Sequence, residues 1–148
     1  MSYHERRAIV SIISTILINA TYFGYMSQRY PDASDFSPEV FQFWGQAILI
    51  LIPVSVVAKI IITIVFSIIN TVATNEGEPS FMDERDKVIE LKSVRIGLYL
   101  FALGFIAAMA AVALKQPPAT MFIILLSGGL LSDVISDFAQ FYYYRRGA

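Results

Sequence analysis

The sequence contains no cysteine and a single histidine, His4. Without cysteine there are no disulfides, thiolate metal sites or cysteine nucleophiles, and one imidazole excludes multi-histidine metal sites. A serine, histidine and acid arrangement for hydrolysis would depend on His4 alone, and none is present. The formal net charge of -1 argues against a nucleic-acid binder, which needs a basic face. We therefore expect no metal, no cofactor, no nucleic-acid partner and no catalytic residue.

Apolar residues are abundant instead. They make up 56% of the 148 residues, and the mean hydropathy is +0.61, which is typical of a membrane protein. Four apolar segments, at about 8–26, 43–69, 94–114 and 119–141, are each long enough to cross a hydrocarbon core of about 30 Å. The N-terminus resembles a signal peptide, but its apolar run is long and no cleavage site follows, so we expect a retained first span. We predict one all-α domain over 1–148, a four-transmembrane-helix antiparallel bundle in the lipid bilayer.

The polar connectors predict where two of these helices begin. Ser37 is a candidate N-cap before Pro38, so the second helix should start there, with Pro53 tilting or kinking it. The segment Asn70–Ser80 has the composition of a loop. Ser80 or Asp83 should then cap one helix of about 30 residues, whose first part, about 83–93, protrudes from the membrane as a charged extension. Its later small residues, Gly97, Gly104, Ala108 and Ala111, fall on one side and should allow close helix packing.

Polar residues in the spans repeat at intervals of about four, so each set occupies one helix face. In the fourth span, Gly129, Asp133 and Asp137 form one ridge and Gly128, Ser132 and Ser136 the next. Ser11, Thr15, Asn19 and Tyr22 share a face of the first span, as Ser55, Lys59, Thr63 and Ser67 do in the second. We expect these faces to point inward, with a polar lining made by Thr15, Asn19, Thr63, Ser132 and Ser136.

Depth along the helices predicts which intramembrane charges meet. Lys59 lies about 22 Å inward from Trp44, and Asp133 lies about 21 Å inward from Ala119. Arg95 and Asp137 also match, at about 28 and 27 Å from the same side of the membrane. We predict the ion pairs Lys59–Asp133 and Arg95–Asp137. The alternative is that Lys59 and Arg95 extend separately to the interface while the aspartates lie in a wet cytoplasmic vestibule.

The distribution of basic residues predicts orientation. The N-terminus, the middle loop and the C-terminus lie on the same side of the membrane in a four-span protein, and together they hold eight lysines and arginines. The two connectors on the other side hold only Arg29 and Lys115. With an even number of spans, this places both termini and the charged extension in the cytoplasm.

Two motifs resemble known families. Gly129, Asp133 and Asp137, in the pattern G-x-x-x-D-x-x-x-D, resemble the second half of the metal-binding motif of CDP-alcohol phosphatidyltransferases, but the D-G-x-x-A-R half is missing. The segment D-E-R-D-x-x-I-E, from Asp83 to Glu90, resembles a motif of small uncharacterised bacterial membrane proteins. That resemblance implies a bacterial inner-membrane setting and no particular activity.

These features favour an accessory, assembly or regulatory subunit that is not an enzyme and is homo-oligomeric or part of a larger membrane complex. The charged extension is either a solvated face or a docking helix formed by Asp83, Arg85, Lys87, Glu90 and Leu91. The polar ridges are either helix–helix contacts or part of a small ion- or proton-coupled transporter that works as an oligomer, with Asp133 as the coupling carboxylate.

Overall fold

A computed structural model describes residues 2–75 and 83–146, and its regular structure over those residues is helical throughout. The helices are α1 (Tyr3–Ser27), α2 (Pro38–Thr74), α3 (Glu84–Ala113) and α4 (Pro118–Arg146). Each of the four is long and apolar enough to cross a membrane. The predicted all-α architecture with four membrane-spanning helices is confirmed.

The helix starts follow local capping chemistry. Ser37 has extended backbone and Pro38 occupies the first turn of α2, as predicted, although the Ser37 side chain makes no capping hydrogen bond. Asp83 caps α3 in a reciprocal arrangement with Asp86, and the helix has the expected 30 residues. The alternative cap, Ser80, lies outside the described residues. Pro53 lies inside α2 without ending it.

The end of α2 differs from the prediction. The helix continues through Asn70 to Thr74, where a loop was expected, and it ends at Asn75 in the left-handed conformation. Asn70 is buried against the other helices, and the hydroxyls of Thr71 and Thr74 donate to carbonyls one turn earlier. Composition alone missed these additional residues because the polar side chains are satisfied within the helix.

The central helix of the fold is α4, which contacts each of the other three. Ring contacts show how the helices run relative to α4. His4, at the start of α1, stacks on Tyr144 near the end of α4, and Trp44, near the start of α2, stacks on Phe122 near the start of α4. Consecutive helices are therefore antiparallel. The end at which α1 and α3 begin and α2 and α4 end holds most of the basic residues, and we call it the charged end. Helices α2 and α3 lie on different sides of α4 and do not pack against each other.

The α3–α4 contact is close because glycines face each other. A Cβ atom added to Gly104 would lie 3.1 Å from the Cα of Gly128, and one added to Gly97 would lie 3.1 Å from the carbonyl oxygen of Ser132. The Ser132 hydroxyl donates a 2.7 Å hydrogen bond to the Gly97 carbonyl. Ala108 is also buried on this face. The predicted small-residue packing face of the third helix is confirmed.

The first turns of α3, which form the predicted charged extension, pack against the other helices. Ile89 is fully buried, at 0% exposure, and Ser93 is also buried. Lys92 lies over the ring of Tyr143 of α4, with its Nζ 5.7 Å from the ring centre. The extension is covered because α4 continues beyond the predicted span to Arg146 and accompanies α3 over this length.

Candidate functional site: an intramembrane charge cluster and its cavities

The two aspartates of α4 are one turn apart but face different helices. The Asp133 carboxylate faces α2, where Oδ2 lies 3.3 Å from the Nζ of Lys59. The Asp137 carboxylate faces α1, where Oδ2 accepts a 2.6 Å hydrogen bond from the Ser11 hydroxyl. The neighbouring serine ridge of α4 faces α3. Helix α4 therefore presents polar groups to each of the other three helices.

The pair Lys59–Asp133 occupies the position that depth matching predicts. It is not enclosed by the chain, however, since the two side chains are 38% and 59% exposed. The faces that carry Lys59 and Asp133 were expected to point inward, but the described residues leave this pair partly exposed. The reason is architectural: α3 packs on the serine ridge of α4 and does not extend to α2, so none of the residues that the structure describes covers the pair on that side.

The predicted pair Arg95–Asp137 is absent from the described residues and is a wrong prediction. Arg95 is exposed, while its neighbours Ser93 and Gly97, two positions to either side, are buried against the bundle. Two residues correspond to a rotation of about 200° around a helix, so Arg95 points away from α4 when those neighbours face it. Asp137 is satisfied by Ser11 instead.

Depth matching would also have found the contact between Ser11 and Asp137. Ser11 lies about 12 Å from the start of α1 at Tyr3, and Asp137 about 14 Å from the end of α4 at Arg146, at the same end of the molecule. Matching opposite charges pairs Asp137 with Arg95 and excludes an uncharged hydroxyl such as that of Ser11.

A polar cavity of about 280 Å³, here the vestibule, lies at the charged end between α1, α2 and α4. That volume accommodates several water molecules. Asp137 and Lys59 line its inner part, together with Thr63, one of the predicted lining residues. The other polar residues around it include His4, Arg7, Ser11, Ser14, Glu90 and Gln140.

A larger opening of about 800 Å³, here the lateral cleft, separates α2 from α3 along the side of α4. Its walls are mostly apolar, but Lys59 and Asp133 lie in it. The remaining predicted lining residues, Thr15, Asn19, Ser132 and Ser136, also line it.

Two further features of the lateral cleft are a buried hydroxyl without a hydrogen-bond partner and open space beside α4. Thr15 is 1% exposed, and its hydroxyl has no hydrogen-bond partner among the described residues. The Asn19 amide donates to the backbone carbonyl of Thr15, 2.8 Å away, and not to its hydroxyl. A Cβ atom added to Gly129 would meet nothing within 4 Å. There is therefore room along this side of α4 for another group to approach closely.

A third cavity of about 510 Å³, here the aromatic cavity, lies between α1, α2 and α4 at the end opposite the charged end. Tyr22, Phe23, Phe43 and Trp44 contribute rings to its wall. The Tyr22 hydroxyl donates to the Ala47 carbonyl and fixes α1 against α2 there. The sequence does not reveal this cavity, because an interfacial belt of aromatic residues and a cavity wall have the same composition.

These observations define a small membrane protein of four helices with a partly exposed intramembrane ion pair. Comparison of the chain with protein-family models, curated proteins and solved structures found no match. Over residues 2–75 and 83–146, no group of three or more acidic or histidine side chains is arranged to hold a metal ion. The features that bear on function are the charge cluster, with the vestibule and the lateral cleft, and the separate aromatic cavity.

Proposed function

We propose that the protein is an accessory or assembly subunit of a larger membrane complex, and that its lateral cleft receives a transmembrane helix of a partner protein. The observation that supports this most directly is the Lys59–Asp133 pair, which lies in the cleft with both side chains partly exposed. The proposal assigns no catalytic step to the chain.

The bilayer makes that exposure unfavourable. A lysine or aspartate near the middle of a membrane helix costs about 2.5–3.5 kcal/mol on insertion scales, and pairing removes only part of that cost while lipid contacts remain. A helix with a polar residue at the same depth would cover the pair and offer a hydrogen bond to Asp133. Membrane helices associate through such hydrogen bonds and through small residues, and Gly129 supplies the small residue here.

The exposed side of the α3 extension supports a second contact with the same partner. Asp83, Arg85, Lys87, Glu90 and Leu91 are all exposed there, whereas Ile89 is used for packing within the chain. Opposite charges with one large apolar side chain, Leu91, suit docking of a partner segment at the charged end. From the distribution of basic residues we propose that this end and both termini lie in the cytoplasm. The resemblance of the Asp83–Glu90 motif supports a bacterial inner membrane as the setting.

The absence of cysteine makes the cleft directly testable. In the variant Gly129→Cys, the only thiol of the chain lies in the cleft; in the control variant Val57→Cys it lies on an exposed position of α2 that does not line the cleft. In native membranes, a maleimide that carries a photoreactive benzophenone labels this thiol and, on illumination, should join the Gly129→Cys variant to one partner chain, and the added change Asp133→Ala should reduce that product. The control should give no such product.

Two outcomes would contradict this proposal. If the thiol at position 129 reacts with a lipid-soluble maleimide as fast as the one at position 57, lipid fills the cleft and no helix does. If the crosslinked product has twice the mass of the chain, a second copy occupies the cleft, and the protein is a homo-oligomer and not a subunit of the kind proposed.

A second candidate function is a small ion- or proton-coupled transporter, and one observation favours it. Lys59 lines both the vestibule and the lateral cleft, so a polar opening at the charged end leads to the ion pair. Asp133 would be the coupling carboxylate, released when Lys59 moves away. In proteoliposomes, an ion flux that is lost in Asp133→Asn and retained in Ser127→Ala would support this function; no flux above that of empty liposomes would exclude it.

A further inference from the structure

The aromatic cavity is separate from the charge cluster, and its size and walls suit a small ligand. Binding pockets for small molecules typically measure about 300–1,000 Å³ and have apolar and aromatic walls with few polar groups. The cavity, at about 510 Å³, falls within that range. Its wall has a flat surface at Trp44, whose ring stacks on Phe122 of α4 at an interplanar angle of 11°. A flat ring would extend this stacking arrangement.

Trp44, a residue of the cavity wall, also carries a hydrogen-bond donor without an acceptor. Trp44 is 8% exposed, and its Nε1 is buried with no hydrogen-bond partner in the described part of the chain. A buried N–H group of this kind leaves its desolvation cost uncompensated. Tyr22 differs, because its hydroxyl already donates to Ala47. A ligand that satisfies Trp44 must present an acceptor atom next to an aromatic ring.

We propose that the aromatic cavity binds a flat, lipid-soluble ring with a carbonyl acceptor, of the quinone class, which enters from the membrane. The ring packs beside Trp44, and one carbonyl oxygen accepts the hydrogen bond from Nε1. A lipid acyl chain would fill the same volume but has no acceptor and no flat face. This site is independent of the lateral cleft, which the partner helix is proposed to occupy.

The chain reports on this site by itself, because Trp44 is its only tryptophan. The protein in lipid nanodiscs is titrated with a short-chain benzoquinone, which quenches indole fluorescence at contact. We expect saturable quenching. In the variant Ser127→Phe, which places a ring in the cavity wall, saturation should require a higher quinone concentration. The control Leu131→Phe adds a ring to an exposed position of α4 outside the cavity and should leave the titration unchanged.

A second measurement tests the hydrogen bond without relying on fluorescence. The quinone should raise the thermal unfolding temperature of the wild-type protein, and Trp44→Phe should weaken apparent binding by about three- to tenfold, the change that one hydrogen bond provides. Quenching that rises linearly without saturation, equally in Ser127→Phe, would overturn the proposal. If lipids with brominated acyl chains quench Trp44 while the quinone leaves the unfolding temperature of the wild-type protein unchanged, the cavity holds lipid instead.

Discussion

The change Gly104→Ala should destabilise the packing of α3 on α4, and its cost follows from the contact geometry. The new methyl carbon would lie 3.1 Å from the Cα of Gly128, which is backbone and cannot rotate away. Overpacking of this kind costs about 1–3 kcal/mol. Alanine also favours a helix over glycine by about 0.5–1 kcal/mol, which offsets part of the cost. The net loss should therefore be between about 0 and 2.5 kcal/mol.

The matched control is Gly129→Ala, the next glycine after Gly128 on α4. Here the added methyl group meets nothing within 4 Å, so only the helix preference remains and the variant should gain about 0.5–1 kcal/mol. Reversible unfolding in mixed micelles, followed by circular dichroism, measures both. The difference between the two variants isolates the steric term of about 1–3 kcal/mol. If Gly104→Ala and Gly129→Ala change the unfolding free energy equally, the close glycine contact does not exist as described.

Three further predictions concern single contacts. Either Lys59→Ala or Asp133→Ala should lower the yield of folded protein in membranes, and exchanging the two residues should recover it; no recovery would rule out a direct pair. Ile89→Ala should cost about 2–5 kcal/mol of unfolding free energy, against less than about 0.5 kcal/mol for the exposed Leu91→Ala, and equal values would show that the start of α3 is not packed. Ser11→Ala should cost about 0.6–1.7 kcal/mol by removing the hydrogen bond to the second aspartate of α4, and an unaltered unfolding free energy would contradict that contact.

The contrast between Lys59 and Arg95 shows how far the sequence could predict the site. Matching depths gives the level of a residue along the bundle, and that sufficed for Lys59 and Asp133 because both also face each other. It failed for Arg95 because depth contains no information about rotation. The sequence does contain the orientation of Arg95 around its helix. Gly97 belongs to the predicted packing face, and a residue two positions away points in the opposite direction.

The exposure of the ion pair and the three cavities could not be predicted in this way. Helix length, caps and small-residue faces are local properties, and the sequence predicted them well, as at Asp83 and Gly104. The cavities depend instead on how the helices are arranged around α4, which no local pattern specifies. Antiparallel connections through short loops are compatible with a closed ring of four helices and with the observed arrangement, in which α3 lies against α4 and apart from α2.

The lateral cleft follows physically from the α3–α4 contact. Gly97 and Gly104 bring α3 against the serine ridge of α4, where it does not contact α2, and the described residues leave the side of α4 that contains Asp133 uncovered. Loosening that contact should therefore change the cleft. If the cleft is a partner site, adding Gly104→Ala to Gly129→Cys should reduce crosslinking to the partner, although position 104 does not line the cleft. Undiminished crosslinking in that double variant would show that the partner recognises α4 and α2 without regard to where α3 lies.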